Sequence, residues 1–309
     1  MLHMRLHICF FMIIFMSVST SCSHGAEGIF VEPDASNGSS SNNMCDTIIF
    51  NINKLLTLGS HTYSQNTQSM TVWNEIGFIF YTTGYCKIID LNTKKELKEA
   101  KLASQAKDNH VNNAAFSTYY YKSTDKYPIL YISPYYKDKQ VCYIERFVEN
   151  ENRFELIQTI TIETSSYNNQ FGDFVVDTDK SLLYVLSFSG SGDIWQIKIF
   201  HLPRIEEEQI TLTDYDLLAL KCVNLDFPNT LQGATYYNGS IYMVFGLHNT
   251  RKQLYKVNTN DFSYSSFDFI DFFNNIEPEG LAVYNDVCYM CTNFPKALWT
   301  FFKIEPSER

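Results

Sequence analysis

The chain repeats one short hairpin motif several times. Each copy has Gln or Glu, a small residue, a short apolar run ending in an aromatic residue, then Asn at a turn and a second apolar run. The three clearest copies are residues 68–75, 232–239 and 279–286. Asn followed by Gly, Asp or Glu between apolar runs indicates a tight turn, because Asn and Gly tolerate the positive φ that such turns need. Each copy therefore predicts a β-hairpin.

Two looser copies begin at Asn113 and Asp173, and each of the five hairpins is followed by a third apolar strand. Self-similar units of three to four strands, roughly 40 to 60 residues each, are typical of propeller blades. The sequence therefore predicts an all-β fold, a β-propeller with five blades. A sixth blade within residues 202–225 is the alternative. The strand at 47–52 is expected to return to the last blade and close the ring.

Residues 1–21 have the features of a secretory signal peptide. They contain Arg5, an apolar core at 8–16 that is too short to span a bilayer, and small residues up to Ser21. Residues 19–22 then resemble the lipobox of bacterial lipoproteins, which predicts Cys22 as the lipidated N-terminus. Ser19 stands where the lipobox usually has an aliphatic residue, so cleavage by an ordinary signal peptidase is the alternative.

Residues 22–45 are rich in Gly, Ser and Asn, a composition that predicts a flexible tether. The remainder, residues 46–309, is expected to form one propeller domain. The chain is 45% hydrophobic and 16% aromatic, which is typical of all-β packing. The sequence thus predicts an extracytoplasmic head in the bacterial cell envelope, at the outer membrane or in the periplasm, attached to the membrane through a lipid anchor.

The chain is acidic, with a formal net charge of −10. Removal of residues 1–21 takes away Arg5 and no acidic residue, so 23 basic residues remain against 34 acidic ones, a charge of −11. Nucleic acid is disfavoured as a partner, because its binding depends on cationic contacts to phosphate. The sequence contains no P-loop, H-E-x-x-H, EF-hand or G-x-S-x-G motif, and its cysteines lack zinc-site spacing. We therefore expect no metal site and no cofactor.

The opening residues of the first strands are the candidate ligand-binding residues. If each first strand lines the axis, these residues meet at one mouth of a central channel: Gln68, Asn113, Asp173, Gln232 and Glu279. The loops after the second strands lie on the same face and add His248 and Asn293. Convergent amides, acids and aromatic residues predict a pocket for a polar ligand. The alternative is a structural ring, in which the axial amides hydrogen-bond one another and water.

The motif of Gln or Glu, Gly, three apolar residues, Tyr, Asn and Gly resembles the extracytoplasmic β-propeller lipoproteins of Bacteroides-type bacteria. The resemblance covers nearly all of the mature chain and implies blades, but no substrate. The chain also resembles the five-bladed glutamine cyclotransferases and calcium-activated nucleotidases. Of the acidic or metal-binding residues that those families would need, only Glu279 has a match.

Two function classes follow. The favoured hypothesis is a binding or interaction module for a glycan, a peptide or a protein, because no catalytic motif is recognised. The alternative is a hydrolase, lyase or cyclotransferase that uses Glu279 or Asp173 as general acid or base at the channel mouth. A third hypothesis is a scaffold that contacts partners through its Tyr-rich rim without a small ligand.

Overall fold

The computed structural model describes residues 47–59, 66–107, 110–134, 140–165, 173–188, 194–225, 230–269 and 275–305. The predicted signal segment 1–21, the lipidation site Cys22 and the tether 22–45 lie outside these ranges. Within them the chain is all-β, with two short 3₁₀ helices at Ala103–Lys107 and Glu149–Glu151. None of the helices in this part of the chain is long and apolar enough to cross a membrane.

The strands follow one another in short antiparallel groups. Strand β1 covers Thr47–Thr57. The next two groups are β2 (Thr67–Trp73), β3 (Ile76–Tyr81), β4 (Tyr85–Asp90) and β5 (Lys95–Lys101), then β6 (Asn113–Phe116), β7 (Leu130–Ser133), β8 (Gln140–Val148) and β9 (Arg153–Glu163). They are followed by β10 (Asp173–Asp177), β11 (Leu182–Phe188), β12 (Ile194–His201), β13 (Gln209–Thr213) and β14 (Leu217–Asn224). The last strands are β15 (Leu231–Tyr237), β16 (Ser240–Phe245), β17 (Gln253–Asn258), β18 (Tyr264–Asp268), β19 (Glu277–Tyr284), β20 (Val287–Asn293) and β21 (Ala297–Glu305).

Successive strands pair as meanders. Three separate four-stranded sheets have the orders β10-β11-β12-β14, β15-β16-β17-β18 and β19-β20-β21-β1. The meanders β2-β3-β4-β5 and β6-β7-β8-β9 share one larger sheet, because Lys101 of β5 pairs with Arg153 of β9. Strand β1 runs antiparallel to β21, from Thr47 opposite Glu305 to Thr57 opposite Ala297. The predicted pairing of the N-terminal strand with the last sheet is confirmed.

The first strand of each meander lies at the centre of the molecule. These inner strands, β2, β6, β10, β15 and β19, contact one another in cyclic order, with β19 returning to β2. Apolar layers fill the spaces between neighbouring meanders. Phe78 and Phe147 belong to the layer between the first two meanders, whereas Tyr242 and Phe302 belong to the layer between the last two. The arrangement is β-propeller-like.

The predicted two-residue turns are present. Asn238 and Gly239 connect β15 to β16 with φ of 46° and 74°, and Asn285 and Asp286 connect β19 to β20 with φ of 49° and 61°. Asn74 has φ of 51° in the turn after β2. Asn, Asp and Gly adopt this left-handed conformation more readily than other residues. In these three hairpins Asn therefore marks the turn, on the side of the molecule away from the start of the inner strands.

Three inner strands, β15, β19 and β2, approach one another too closely for side chains to fit between them. A Cβ atom at Gly233 would lie 2.8 Å from Cα of Gly280, and a Cβ atom at Gly280 would lie 2.6 Å from the backbone nitrogen of Met70. Such separations are below normal contact distance. The Gly after Gln or Glu in the motif is therefore required by the packing of β15 against β19 and of β19 against β2.

We predict that Gly280→Ala destabilises the fold, because its new methyl group must displace the backbone of β2. The free energy of unfolding should fall by about 1–3 kcal/mol or more, as for other overpacked cores. Gly59→Ala is the matched control, since a Cβ atom at Gly59 would have no atom within 4 Å. Urea unfolding of both variants is the measurement. Equal stabilities of the two variants would show that the inner strands are not this close.

Candidate functional site

Three inner strands carry a β-bulge at the same position of the motif. The pairing of β2 with β3 skips Gln68, that of β15 with β16 skips Gln232, and that of β19 with β20 skips Glu279. A bulge places two residues opposite one and redirects the side chain of the extra residue. Strands β6 and β10 pair without such a shift, so Asn113 and Asp173 are regular ladder residues.

The bulged side chains meet in one cavity of about 220 Å³. This polar cavity lies where the inner strands begin. Its lining is almost entirely polar and consists of Asn66, Gln68, His110, Asn112, Thr230, Gln232, Leu247, Glu277, Glu279 and Asn293. Of the predicted site residues, the structure therefore brings together Gln68, Gln232, Glu279 and Asn293. It does not bring Asn113, Asp173 or His248 into the lining.

Hydrogen bonds orient the side chains of the polar cavity. Gln232 donates its Nε2 proton to Oε1 of Glu277 at 3.2 Å, and Asn293 donates from Nδ2 to Oε1 of Glu279 at 3.1 Å. Gln68 donates from Nε2 to the carbonyl of Thr67 at 3.0 Å. The Oδ1 atom of Asn293 is buried and has no hydrogen-bond partner among the described residues. The cavity thus retains unused capacity to accept hydrogen bonds.

The two carboxyl groups of the polar cavity differ in their surroundings. Burial raises the pKa of Glu279 well above its usual value, and the negative charge of Glu277 raises it further, while the hydrogen bond from Asn293 opposes the shift. The charge of Glu277 in turn favours the ammonium form of Lys252, whose pKa is lowered by burial. A buried carboxyl that retains a proton is suited to proton donation or to hydrogen bonding with a neutral ligand.

Asn113 has a structural role at the axis. Its Nδ2 group donates to the carbonyl of Phe174 at 3.0 Å, and its Oδ1 atom accepts from the backbone nitrogen of Ala234 at 3.4 Å. One side chain therefore links β6 to both β10 and β15. Asn113 therefore has a structural role, as in the structural-ring alternative, but its partners are backbone groups and not other axial amides.

Asp173 lies behind the cavity wall. Both of its carboxylate oxygens accept from Nδ2 of Asn112, at 2.8 and 2.9 Å, and Asn112 lines the cavity. Burial raises the pKa of Asp173 to about 7, and the hydrogen bond from Asn112 acts in the opposite direction. Asp173 therefore positions a cavity residue without reaching the cavity itself.

His248 follows the lining residue Leu247 in the chain. Its ring centroid is 5.7 Å from that of Phe294. Phe294 follows Asn293 directly and is 56% exposed. We refer to the rings of His248 and Phe294, together with the adjoining aliphatic Leu247, as the aromatic rim.

Sequence reasoning missed six lining residues: Asn66, His110, Asn112, Thr230, Leu247 and Glu277. Three of them stand two positions before a bulged residue, namely Asn66, Thr230 and Glu277. Residues two apart on a strand share a face, so this spacing was the available signal. Among the described residues, no three His, Cys, Asp or Glu side chains are grouped as ligands for a metal ion.

We predict that the stability difference between Asp173→Asn and the wild type depends on pH. The raised pKa means that the folded protein keeps a proton on Asp173 at pH values where the unfolded chain has released it. The free energy of unfolding of the wild type therefore falls as pH rises from about 4 to about 7, whereas Asn does not titrate. The variant should gain stability relative to the wild type up to pH 7 and no further.

Urea unfolding of both proteins between pH 5 and 8 is the measurement, because titrations common to the two proteins cancel. Asp90→Asn is the control: Asp90 is at the surface, and a hydrogen bond from the Thr93 backbone lowers its pKa. Its stability difference should be constant over this range. A constant difference for Asp173→Asn would contradict the assignment.

Comparison with known proteins does not identify a family. No protein family and no curated protein matches the chain. Among solved structures it is similar to Myxococcus xanthus glutaminyl cyclase, with 11% identity, a TM-score of 0.48, and coverage of 83% of this chain and 97% of that one. It is also similar to Kuenenia stuttgartiensis hydrazine synthase, with 11% identity, a TM-score of 0.40, and coverage of 73% of this chain and 61% of that one. A third similar structure is Chaetomium thermophilum Raptor, with 10% identity, a TM-score of 0.43, and coverage of 83% of this chain and 29% of that one. The chain spans less than two thirds of the latter two, and none of these likenesses is strong enough to indicate an activity.

Proposed function

We propose that the chain is a five-bladed β-propeller that binds a small polar ligand, or the end of a larger one, in the polar cavity. The cyclic contacts of five inner strands and the apolar layers between meanders support five blades. Residues 202–225, the candidate for a sixth blade, contribute β13 to the edge of β9 and β14 to the edge of β12. In this proposal β1 completes the fifth blade and closes the ring.

The observation that carries the binding proposal is the convergence of three bulged polar side chains in one cavity. Bulges interrupt the ladder of a sheet and are common next to functional sites, where they redirect a side chain. Here the same position is bulged in β2, β15 and β19, and all three extra residues line the same space. The unpartnered Oδ1 atom of Asn293 supports a ligand that donates hydrogen bonds, since buried polar atoms are normally paired.

The size of the polar cavity limits what can enter it. Pockets for drug-sized ligands have volumes of roughly 300–1,000 Å³, and this cavity has about 220 Å³. It therefore suits one sugar unit or one terminal residue. A glycan, a peptide or a protein would insert one end and leave the rest outside.

Glu279 favours a second candidate function, catalysis. A buried carboxyl with a raised pKa can act as a general acid, and Glu277 supplies a second carboxyl in the same cavity. The reaction classes consistent with such a pair are those of a hydrolase, a lyase or a cyclotransferase. Asp173 is not part of this candidate, because it lies behind Asn112.

We also propose that the protein is a lipoprotein of the bacterial cell envelope. This proposal rests on the sequence of residues 1–22 alone, in which a signal-like segment precedes Cys22. The lipid would hold the propeller at a membrane and leave the polar cavity free to meet its ligand. In this proposal the glycan, peptide or protein partner is extracytoplasmic and is not a nucleic acid.

We predict that a ligand of the polar cavity stabilises the protein against thermal unfolding. The full chain would be screened with glycans, peptides, nucleotides and divalent ions. A ligand at about 100 times its dissociation constant adds roughly 2.7 kcal/mol to the free energy of unfolding. Gln232→Ala should abolish the shift, whereas Gln209→Ala, at an exposed position of β13, should not. A shift that survives Gln232→Ala would place the ligand elsewhere.

Glu279→Gln separates binding from catalysis in the same screen. An enzyme should lose turnover while it keeps affinity, because the amide cannot transfer the proton. A binding module should show altered affinity and have no turnover to lose. Conversion of any stabilising ligand to product by the wild type would be followed by mass spectrometry.

We predict that Cys22 anchors the protein. In the natural host, the wild-type protein should fractionate with membranes and Cys22→Ser should be released. The matched control is Cys222→Ser, since Cys222 is an exposed cysteine of the folded domain. Membrane association that persists in Cys22→Ser would favour another mode of attachment.

A further inference from the structure

The aromatic rim adjoins the polar cavity through the chain itself. Asn293 lines the cavity and Phe294 is the next residue, while Leu247 lines the cavity and His248 is the next residue. The rings of His248 and Phe294 are in contact, with centroids 5.7 Å apart. Phe294 nevertheless remains 56% exposed and Leu247 39% exposed. A partly exposed apolar surface therefore borders a nearly all-polar cavity.

The charges around the polar cavity favour a neutral ligand. The carboxyl group of Glu277 interacts electrostatically with the buried Lys252 ammonium. Glu279 is suited to remain protonated, because burial and Glu277 both disfavour its charged form. The Lys252 ammonium offsets the charge of Glu277, so this pair gives little net attraction for either a cationic or an anionic ligand.

The polar side chains offer both donors and acceptors. Asn66, Gln68, Asn112 and Gln232 each have an amide group, which both donates and accepts. Asn293 contributes an accepting Oδ1 atom that has no partner among the described residues. Hydroxyl groups also donate and accept, so a ligand with several hydroxyls can match such a lining.

We propose that the polar cavity and the aromatic rim together bind one neutral sugar unit at the end of a glycan. A sugar ring has hydroxyl groups around its edge and C–H groups on its faces. The hydroxyls would enter the polar cavity, and one face of the ring would lie against Phe294. This inference rests on the proposed binding function and adds the ligand class and the role of the rim.

The test is isothermal titration of the full chain with glucose, galactose, mannose and N-acetylglucosamine. Tripeptides with free and with acetylated N-termini provide the comparison. We expect at least one sugar to bind. Phe294→Ala should weaken its affinity by roughly three- to tenfold, the usual range for loss of an aromatic contact. Phe294→Trp should keep the affinity, because it keeps an aromatic face.

Two further variants make the result specific. Tyr215→Ala removes a fully exposed aromatic side chain in the turn between β13 and β14, and it should leave sugar binding unchanged. Gln232→Ala should abolish sugar binding. Thermal unfolding of every variant confirms that it is folded.

The outcomes distinguish a failure of the sugar assignment from a failure of the binding proposal on which it rests. Peptide binding that is lost in Gln232→Ala, without sugar binding, would overturn the sugar assignment and keep the cavity as a binding site. Sugar binding that is lost in Gln232→Ala and unchanged in Phe294→Ala would overturn the role of the rim. No binding by sugars or peptides, or binding that is insensitive to Gln232→Ala, would overturn both the inference and the binding proposal.

Discussion

The close approach of the inner strands at the axis is the constraint on which the rest of the structure depends. Gly233 and Gly280 let β15, β19 and β2 come within backbone contact distance. No side chain fits between these strands, so the residue before each Gly must direct its side chain elsewhere. The bulges at Gln232 and Glu279 do so by turning these side chains toward the start of the strands. The packing at the axis and the polar cavity are thus two consequences of one local geometry.

Burial of polar groups at the axis requires hydrogen-bond partners, and the two kinds of inner strand meet this requirement differently. Asn113, on an unbulged strand, bonds to the backbones of two other inner strands, β10 and β15. The bulged residues instead line the cavity, where Gln232 bonds to Glu277 and Glu279 to Asn293. Only the second arrangement places these side chains in the lining of a cavity. The predicted ring of equivalent residues is therefore divided into a structural part and a part suited to a ligand.

The hairpins were predictable because their turns need residues that tolerate positive φ, and Asn at such turns is visible in the sequence. The outer strand β5 was not, because it is mostly exposed and rich in Lys and Glu, without an alternating pattern. In the candidate site, the motif correctly aligned Gln68, Gln232 and Glu279. It also aligned Asn113 and Asp173 with them, although neither is bulged. A small residue follows the bulged residue in all three copies, but Ala114 also follows Asn113 in the unbulged β6. The bulge is therefore not visible in the local sequence, because it depends on the spacing between neighbouring backbones.

Gln68, Gln232 and Asn293, from three different strands, line the one cavity that we propose accepts a ligand. The most direct test is NMR of the side-chain amide groups in the full chain, labelled with ¹⁵N, during titration with the four monosaccharides. We predict that the amide signals of these three residues shift together, with one common dissociation constant, while that of the exposed Gln209 stays in place. Independent shifts of the three signals, or shifts confined to residues outside the cavity, would contradict this prediction.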